Sequence, residues 1–164
     1  MKTIILIGSA PCVIDDLCHL AITFEHELKG VHYAAIGLSG VMVTSWPLSY
    51  IASYHIEDIP QIKEIEPDAP IVSYIQEAGV DIVIPFTAPS GSSALLGALA
   101  GLKLGYDRII LAGCPLIGRS STGDDITQFQ VGWKAQFETV KDNVRSCSGW
   151  TAEFLGEPSS EWLQ

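Results

Sequence analysis

A histidine and a glutamate, His55 and Glu57, stand two positions apart where an apolar stretch of the chain ends. Histidine exchanges a proton near neutral pH, and a neighbouring carboxylate can orient its ring. The sequence therefore predicts His55 and Glu57 as the acid–base residues of a candidate active site. The alternative interpretation is a loop histidine that only caps the helix after it.

Small residues fill three turns that follow or precede apolar stretches. We interpret these turns as ligand-binding loops, because small residues let backbone N–H groups approach a phosphate and a helix start adds partial positive charge. The alternative is a set of ordinary turns around a well-capped core helix. The chain has neither a GxGxxG motif nor a Walker lysine. The predicted ligand-binding residues are Gly8, Ser9, Ala10, Pro11, Ser90, Gly91, Ser92, Ser93, Cys114 and Pro115.

Composition limits the classes of partner. The 164 residues suffice for one domain with a sizeable core. The net charge of −10 argues against nucleic acid and against anionic membranes as primary partners. A phosphate can still bind locally through backbone N–H groups, so the expected partner is a small phosphate-containing molecule.

Compartment and cofactors follow from the same composition. No apolar run reaches the roughly 18–20 residues that span a bilayer, and the first residues fit a strand better than a signal peptide. The four cysteines show neither CxxC nor zinc-ligand spacing, which favours reduced thiols in the cytoplasm. No metal-ligating cluster stands out, so we predict no metal site, although Mg²⁺ could accompany a nucleotide.

Apolar runs alternate with helical patterns along the chain, which is typical of a parallel sheet covered by helices on both faces. We therefore expect one α/β domain over residues 1–164, a three-layer Rossmann-like sandwich with a mostly parallel sheet. The two longest continuous runs, residues 3–8 and 108–113, should be central strands. The other predicted strands are residues 31–36, 48–54, 71–75, 81–86 and 144–147.

The helices are predicted from caps and periodicity. Asp15 or Asp16 should cap a first helix that runs to about Leu28. Ser90 or Ser92 should cap an apolar helix that ends at Gly105, and residues 126–142 should form one amphipathic helix. All strand-to-helix loops of a parallel sheet emerge at one edge, so the predicted ligand residues, His55 and residues 148–149 should share a cleft there.

Two sequence blocks resemble a Rossmann-like group of proteins. They are Gly8-Ser9-Ala10-Pro11, and Ser90-Gly91-Ser92-Ser93 followed by Leu104-Gly105-Tyr106 and an apolar strand. The group contains archaeal-type 6-hydroxymethylpterin diphosphokinase-like proteins, bacterial lipooligosaccharide sialyltransferases and short phage proteins of unknown function. The resemblance implies that the two loops flank a nucleotide and that the chain is of phage or bacterial origin. Cys12 stands where that group usually has serine.

Three functions follow as expectations. The first is a small group-transfer enzyme, glycosyl- or diphospho-transferase-like, that uses a nucleotide or nucleotide-sugar donor. The second is a non-catalytic nucleotide binder, and the third is an interaction protein with a vestigial site. Sparse charge and the tryptophans Trp46, Trp150 and Trp162, in loops or near the end of the chain, also predict a homo-oligomer.

Overall fold

Seven parallel strands form one sheet in the computed structural model, which describes residues 1–85, 92–118 and 125–164. Each strand falls within a predicted apolar stretch, so the predicted α/β Rossmann-like class is confirmed. The strand order is β5-β4-β3-β2-β1-β6-β7. The strands are β1 (Thr3–Ile7), β2 (His32–Ile36), β3 (Leu48–Ala52), β4 (Ile71–Ser73), β5 (Ile82–Val83), β6 (Arg108–Ala112) and β7 (Val144–Ser146).

The strands β1 and β6 lie side by side inside the sheet, as their apolar sequences predict. Ile4 pairs with Ile109 and Leu6 with Leu111. These four side chains are fully buried. Each of the two strands has a neighbouring strand on both sides. Helices cover both faces of the sheet here, which explains why the two apolar runs are continuous.

Helices cover both faces of the sheet. One core cluster holds side chains of α4 to α7, and two further clusters hold those of α1 and α8 and of α2 and α3. Short 3₁₀ turns at Ile56–Asp58 and Ile126–Phe129 precede α3 and α5. The helices are α1 (Val13–Thr23), α2 (Gly37–Met42), α3 (Ile59–Ile65), α4 (Ser93–Lys103), α5 (Gln130–Ala135), α6 (Phe137–Val140), α7 (Gly149–Leu155) and α8 (Ser160–Leu163).

The direction of strand addition reverses once. From β1 the chain adds β2 to β5 on one side, and α4 then returns it to β6 on the other side of β1. The chain thus continues from β1 toward one side of the sheet and from β6 toward the other, which places a topological switch point between these two strands. The carboxyl edge at such a point is where open α/β sheets bind ligands.

The helix α4 packs tightly on the sheet through its two glycines. A Cβ on Gly97 would lie 2.7 Å from Ile36 Cδ1, and one on Gly101 would lie 2.9 Å from Ile109 Cδ1. The Tyr50 hydroxyl also donates a 2.8 Å hydrogen bond to Gly97 O. The groups closest to these two glycines are side chains of the sheet.

Two predicted helices differ from the structure. The segment 126–142 is divided, because Gln136 leaves helical geometry and its N–H reaches back to both Gly132 O and Trp133 O. The first helix begins at Val13 and ends at Thr23, so the predicted cap at Asp15 or Asp16 and the predicted end at Leu28 are wrong. Asp16 has turned inward, where it accepts hydrogen bonds from other loops.

Candidate functional site

The loops that leave β1 and β6 are hydrogen-bonded to each other. Gly8 N–H donates to Ala112 O at 2.8 Å, and Ala10 N–H donates to Gly113 O at 3.2 Å. A Cβ on Gly8 would lie only 2.3 Å from Gly113 O. Gly8 thus allows two backbones to touch, and the N–H groups of Gly8 and Ala10 are bonded within the protein. The predicted phosphate binding by residues 8–11 stays a prediction, with fewer N–H groups to support it.

A buried carboxylate, Asp16, joins the loops after β1, β6 and β7. Asp16 is 6% exposed, and its Oδ2 accepts from Gly113 N–H at 2.7 Å and from the Ser148 hydroxyl at 2.8 Å. The Cys12 sulfur lies 3.3 Å from the same Ser148 hydroxyl. Sequence reasoning treated Asp16 as a cap and missed this role. The available signal was its spacing from Val13 and Leu20, which places an acid on the inward face of α1.

The cysteines near this junction are held protonated at neutral pH. Burial, reinforced by the negative charges that Cys12 and Asp16 would carry, raises the pKa of Cys114 to about 12. Burial likewise raises the pKa of Cys12 and of Cys147. The Cys114 side chain packs beneath Gly8, and its carbonyl accepts from the Thr151 hydroxyl at 2.7 Å. A role of the Cys114 thiol in ligand binding is therefore confined to its neutral form.

Pro115 also packs within the protein. A Cβ on Gly149 would lie 2.4 Å from Pro115 Cβ, so the turn before α7 is pressed against the loop after β6. Gly149 has a φ of 66°, a conformation that glycine adopts without strain. The predicted neighbourhood of residues 114–115 and 148–149 is thus present at the carboxyl edge.

A second group of predicted residues follows β3 and precedes α4. His55 Nδ1 is 3.1 Å from Glu57 Oε1, and their side chains are 60% and 70% exposed. Hydrogen bonds, first from its own backbone and then from His55, lower the pKa of Glu57. The carboxylate is thus ionised at neutral pH and accepts from the Nδ1–H of His55. In this tautomer Nε2 carries no hydrogen, and its lone pair can accept a proton.

The start of α4 is hydrogen-bonded to the residue that precedes this histidine–glutamate pair. Ser93 Oγ accepts from Tyr54 N–H at 2.9 Å, and Tyr54 directly precedes His55. Ser92 Oγ accepts from Leu95 N–H at 3.3 Å, which confirms Ser92 as the helix cap. Each serine hydroxyl accepts a backbone N–H and still carries a hydrogen that it can donate. Ser90 and Gly91 lie outside the described residues.

The predicted site residues share one edge of the sheet but fall into two groups. The first follows β1, β6 and β7, and the second follows β3 and precedes α4. The strand β2 separates β1 from β3, and two strand spacings amount to about 10 Å. His55 and Ser9 are on the same edge, as predicted, whereas a single cleft that unites both groups stays a prediction.

Over residues 1–85, 92–118 and 125–164, no group of three or more His, Cys, Asp and Glu side chains is placed to hold a metal ion. We therefore assign no ligands to Mg²⁺. Within the same ranges, no helix has both the length and the apolar character needed to cross a bilayer. No family model, curated protein or solved structure matches this chain. Function is accordingly inferred from the geometry of the carboxyl edge.

Proposed function

We propose that this protein binds a nucleotide or nucleotide sugar at the carboxyl edge of its sheet and transfers a group from that donor. The observation that carries the proposal is the pair His55 and Glu57, whose Nδ1 and Oε1 atoms are 3.1 Å apart. The pair follows Tyr54, whose N–H donates to Ser93 Oγ at the start of α4. A histidine oriented by a carboxylate is the usual arrangement of a general base. His55 would accept the proton of the attacking group, and Glu57 would stabilise the charged ring.

The phosphate of the donor is proposed to bind at the start of α4. This helix has eleven residues and no acidic residue in its first turn, so its positive end is not neutralised. The hydroxyl of Ser93, which is partly exposed, adds a donor there, whereas Ser92 is buried and caps the helix. In contrast, α1 carries Asp15 and Asp16 in its first turn, which oppose the binding of an anion.

Nucleotide-dependent thermal melting tests the binding. The panel contains CMP, GDP, ATP and nucleotide sugars, and we expect at least one compound to raise the Tm. His55→Ala should keep that shift and lose turnover of the donor, because the histidine accepts a proton and does not hold the phosphate. His19→Ala, an exposed histidine of α1, is the matched control and should keep both properties. Turnover by His55→Ala equal to that of the wild type would overturn the catalytic assignment.

The second candidate is a nucleotide binder without catalysis. It is favoured by the exposure of the His55 and Glu57 side chains, 60% and 70%, since a pair open to water is not enclosed as catalytic groups usually are. A Tm shift without turnover by the wild type would select this candidate. If no compound shifts the Tm, the remaining candidate is an interaction protein with a vestigial site.

We also propose that the protein acts as a homo-oligomer in the cytoplasm. All four cysteines are free, as expected for a reducing compartment. Trp46 remains 42% exposed. Trp150 stacks on Phe154, and Trp162 lies against Arg108 and Arg145, so these two tryptophans give less support to self-association than the sequence implied.

A further inference from the structure

A depression of about 180 Å³ opens at the amino edge of the sheet, opposite the proposed active site. It lies between the first residues of β1 and β2 and the turn that connects α1 to β2. Its ionisable side chains are Lys2, Glu27, Lys29 and His32. None of them belongs to the proposed active site.

Tyr106 fixes two of these side chains. The tyrosine is 5% exposed, its hydroxyl is 3.0 Å from His32 Nδ1, and its ring centre is 4.0 Å from Lys2 Nζ. The Ser49 hydroxyl lies 3.1 Å from the same Nδ1. In the tautomer that carries the ring hydrogen on Nε2, one of these hydroxyls donates to the single lone pair of Nδ1. His32 can then donate Nε2–H to a ligand.

The two lysines of this depression keep their charges unpaired. The ion pairs found in the described ranges involve neither Lys2 nor Lys29. Glu27 also lines the depression and keeps its negative charge, but its carboxylate is bonded by the Ser160 hydroxyl and not by a lysine. Asp107 accepts from the backbone N–H of Lys2 at 2.7 Å. Two ammonium groups and an imidazole N–H are therefore available to one ligand.

We propose that this depression binds a small phosphate-type oxyanion, held by Lys2, Lys29 and His32. A volume of about 180 Å³ accommodates a phosphate or a short phosphate monoester and is well below the roughly 300 Å³ at which pockets for larger ligands begin. The net charge of −10 does not prevent this, because physiological salt screens charges beyond about 8 Å. The site is distinct from the proposed donor site at the carboxyl edge.

Titration with inorganic phosphate, followed by NMR of the histidine ring nitrogens, tests the proposal. We expect a saturable shift of the His32 ring signals, with His19 unchanged and with no response to chloride at equal ionic strength. Lys29→Ala should weaken phosphate binding about tenfold, since it removes one charge-assisted hydrogen bond. The control Lys103→Ala, an exposed lysine at the end of α4, should bind like the wild type.

The variant Tyr106→Phe tests whether phosphate binds to an organised site or only to exposed lysines. The ring that faces Lys2 is retained, while the hydroxyl that orients His32 is lost, so phosphate binding should weaken several-fold in a folded protein. Glycerol phosphate in place of phosphate distinguishes a monoester ligand from the free ion. No saturable shift of His32, or equal losses in Lys29→Ala and Lys103→Ala, would overturn the proposal. Phosphate binding should persist in His55→Ala. A failure of the phosphate-site proposal can therefore be distinguished from a failure of the proposed enzyme activity.

Discussion

Asp16 is a buried carboxylate whose hydrogen-bond donors come from two distant loops. Gly113 and Ser148 are 97 and 132 residues away in the chain, and both donate to the same oxygen. Such hydrogen bonds replace those that the carboxylate would make to water if it were exposed. One side chain thus fixes the relative positions of the loops that end β1, β6 and β7.

Removal of this acceptor should destabilise the fold. We expect Asp16→Ala to lower the free energy of unfolding by about 2–4 kcal/mol, since the Gly113 N–H and the Ser148 hydroxyl are left without their acceptor. Asp15→Ala is the matched control, because Asp15 is exposed in the same helical turn, and it should change stability by about 0.5 kcal/mol or less. Urea unfolding measures both. Equal stabilities for the two variants would contradict the role of Asp16.

Thiol reactivity should separate the four cysteines. At pH 8, iodoacetamide should label exposed Cys18 first and Cys12 more slowly, while Cys114 and Cys147 react only after unfolding. The reason is that the thiolate is the nucleophile, and burial raises the pKa of Cys114 to about 12. Mass spectrometry of labelled peptides provides the measurement. Labelling of Cys114 at the rate of Cys18 would show that the β1–β6 junction is open.

The same raised pKa links stability to alkaline pH. The folded pKa of Cys114 lies above the ordinary thiol value of 9.0, so its contribution to stability is complete below pH 9.0 and is lost as the pH rises toward about 12. Replacement of Cys114 by alanine should reduce the slope of stability against pH in this window.

At the level of elements, the loop between β1 and α1 depends on close contact with the loop after β6. Gly8 is buried at this contact, and no side chain fits between its Cα and Gly113 O. The glycine thus has a packing role that explains its presence without a ligand. A nucleotide at the switch point would have to use groups on the exposed side of the loop, such as Ser9.

Gly8→Ala should therefore lower the free energy of unfolding by about 3 kcal/mol, because the added Cβ would clash with backbone that cannot move independently. Gly30→Ala is the control: its φ is +74°, but nothing lies within 4 Å of the added Cβ. Gly30→Ala should lower the free energy of unfolding by only about 1–2 kcal/mol, because alanine must adopt a left-handed conformation there. Thermal unfolding of the two variants distinguishes a steric penalty from a conformational one. A Gly8 variant as stable as the Gly30 variant would contradict the tight contact.

At the level of the whole molecule, several apolar side chains are exposed on the helical layer that contains α1 and α2. They are Ile14, Ile22, Met42, Val43 and Trp46. Exposed apolar groups on one side of a domain are typical of an interaction surface.

Light scattering at micromolar concentration should return a multiple of 17.7 kDa. Ile22→Lys should reduce that mass, because Ile22 is 82% exposed on α1 and a charge there opposes burial between subunits. Ile75→Lys, after β4, changes an exposed isoleucine away from this layer and should leave the mass unaltered. A wild-type mass near 17.7 kDa would argue against self-association.

The strands were predictable from sequence because their signal is local. Continuous apolar runs such as residues 3–8 and 108–113 require burial on both faces, and the alternating helical patterns supply the cover. The edge that carries His55 was predictable for the same reason, since all strands of a parallel sheet end on one side. The Ser92 cap also followed from local helix chemistry.

The sequence by itself determined which segments are strands, that helices alternate with them and that the loops after the strands share an edge. Only the tertiary structure decided that Asp16 points inward and that the candidate residues form two groups on either side of β2. It also decided that Tyr106 holds His32 and Lys2 together. The physical reason is that the partners in these contacts are separated by about a hundred residues in several cases, as with Asp16 and Gly113. Strand order and side-chain contacts across the sheet place them together, and no local pattern encodes that order.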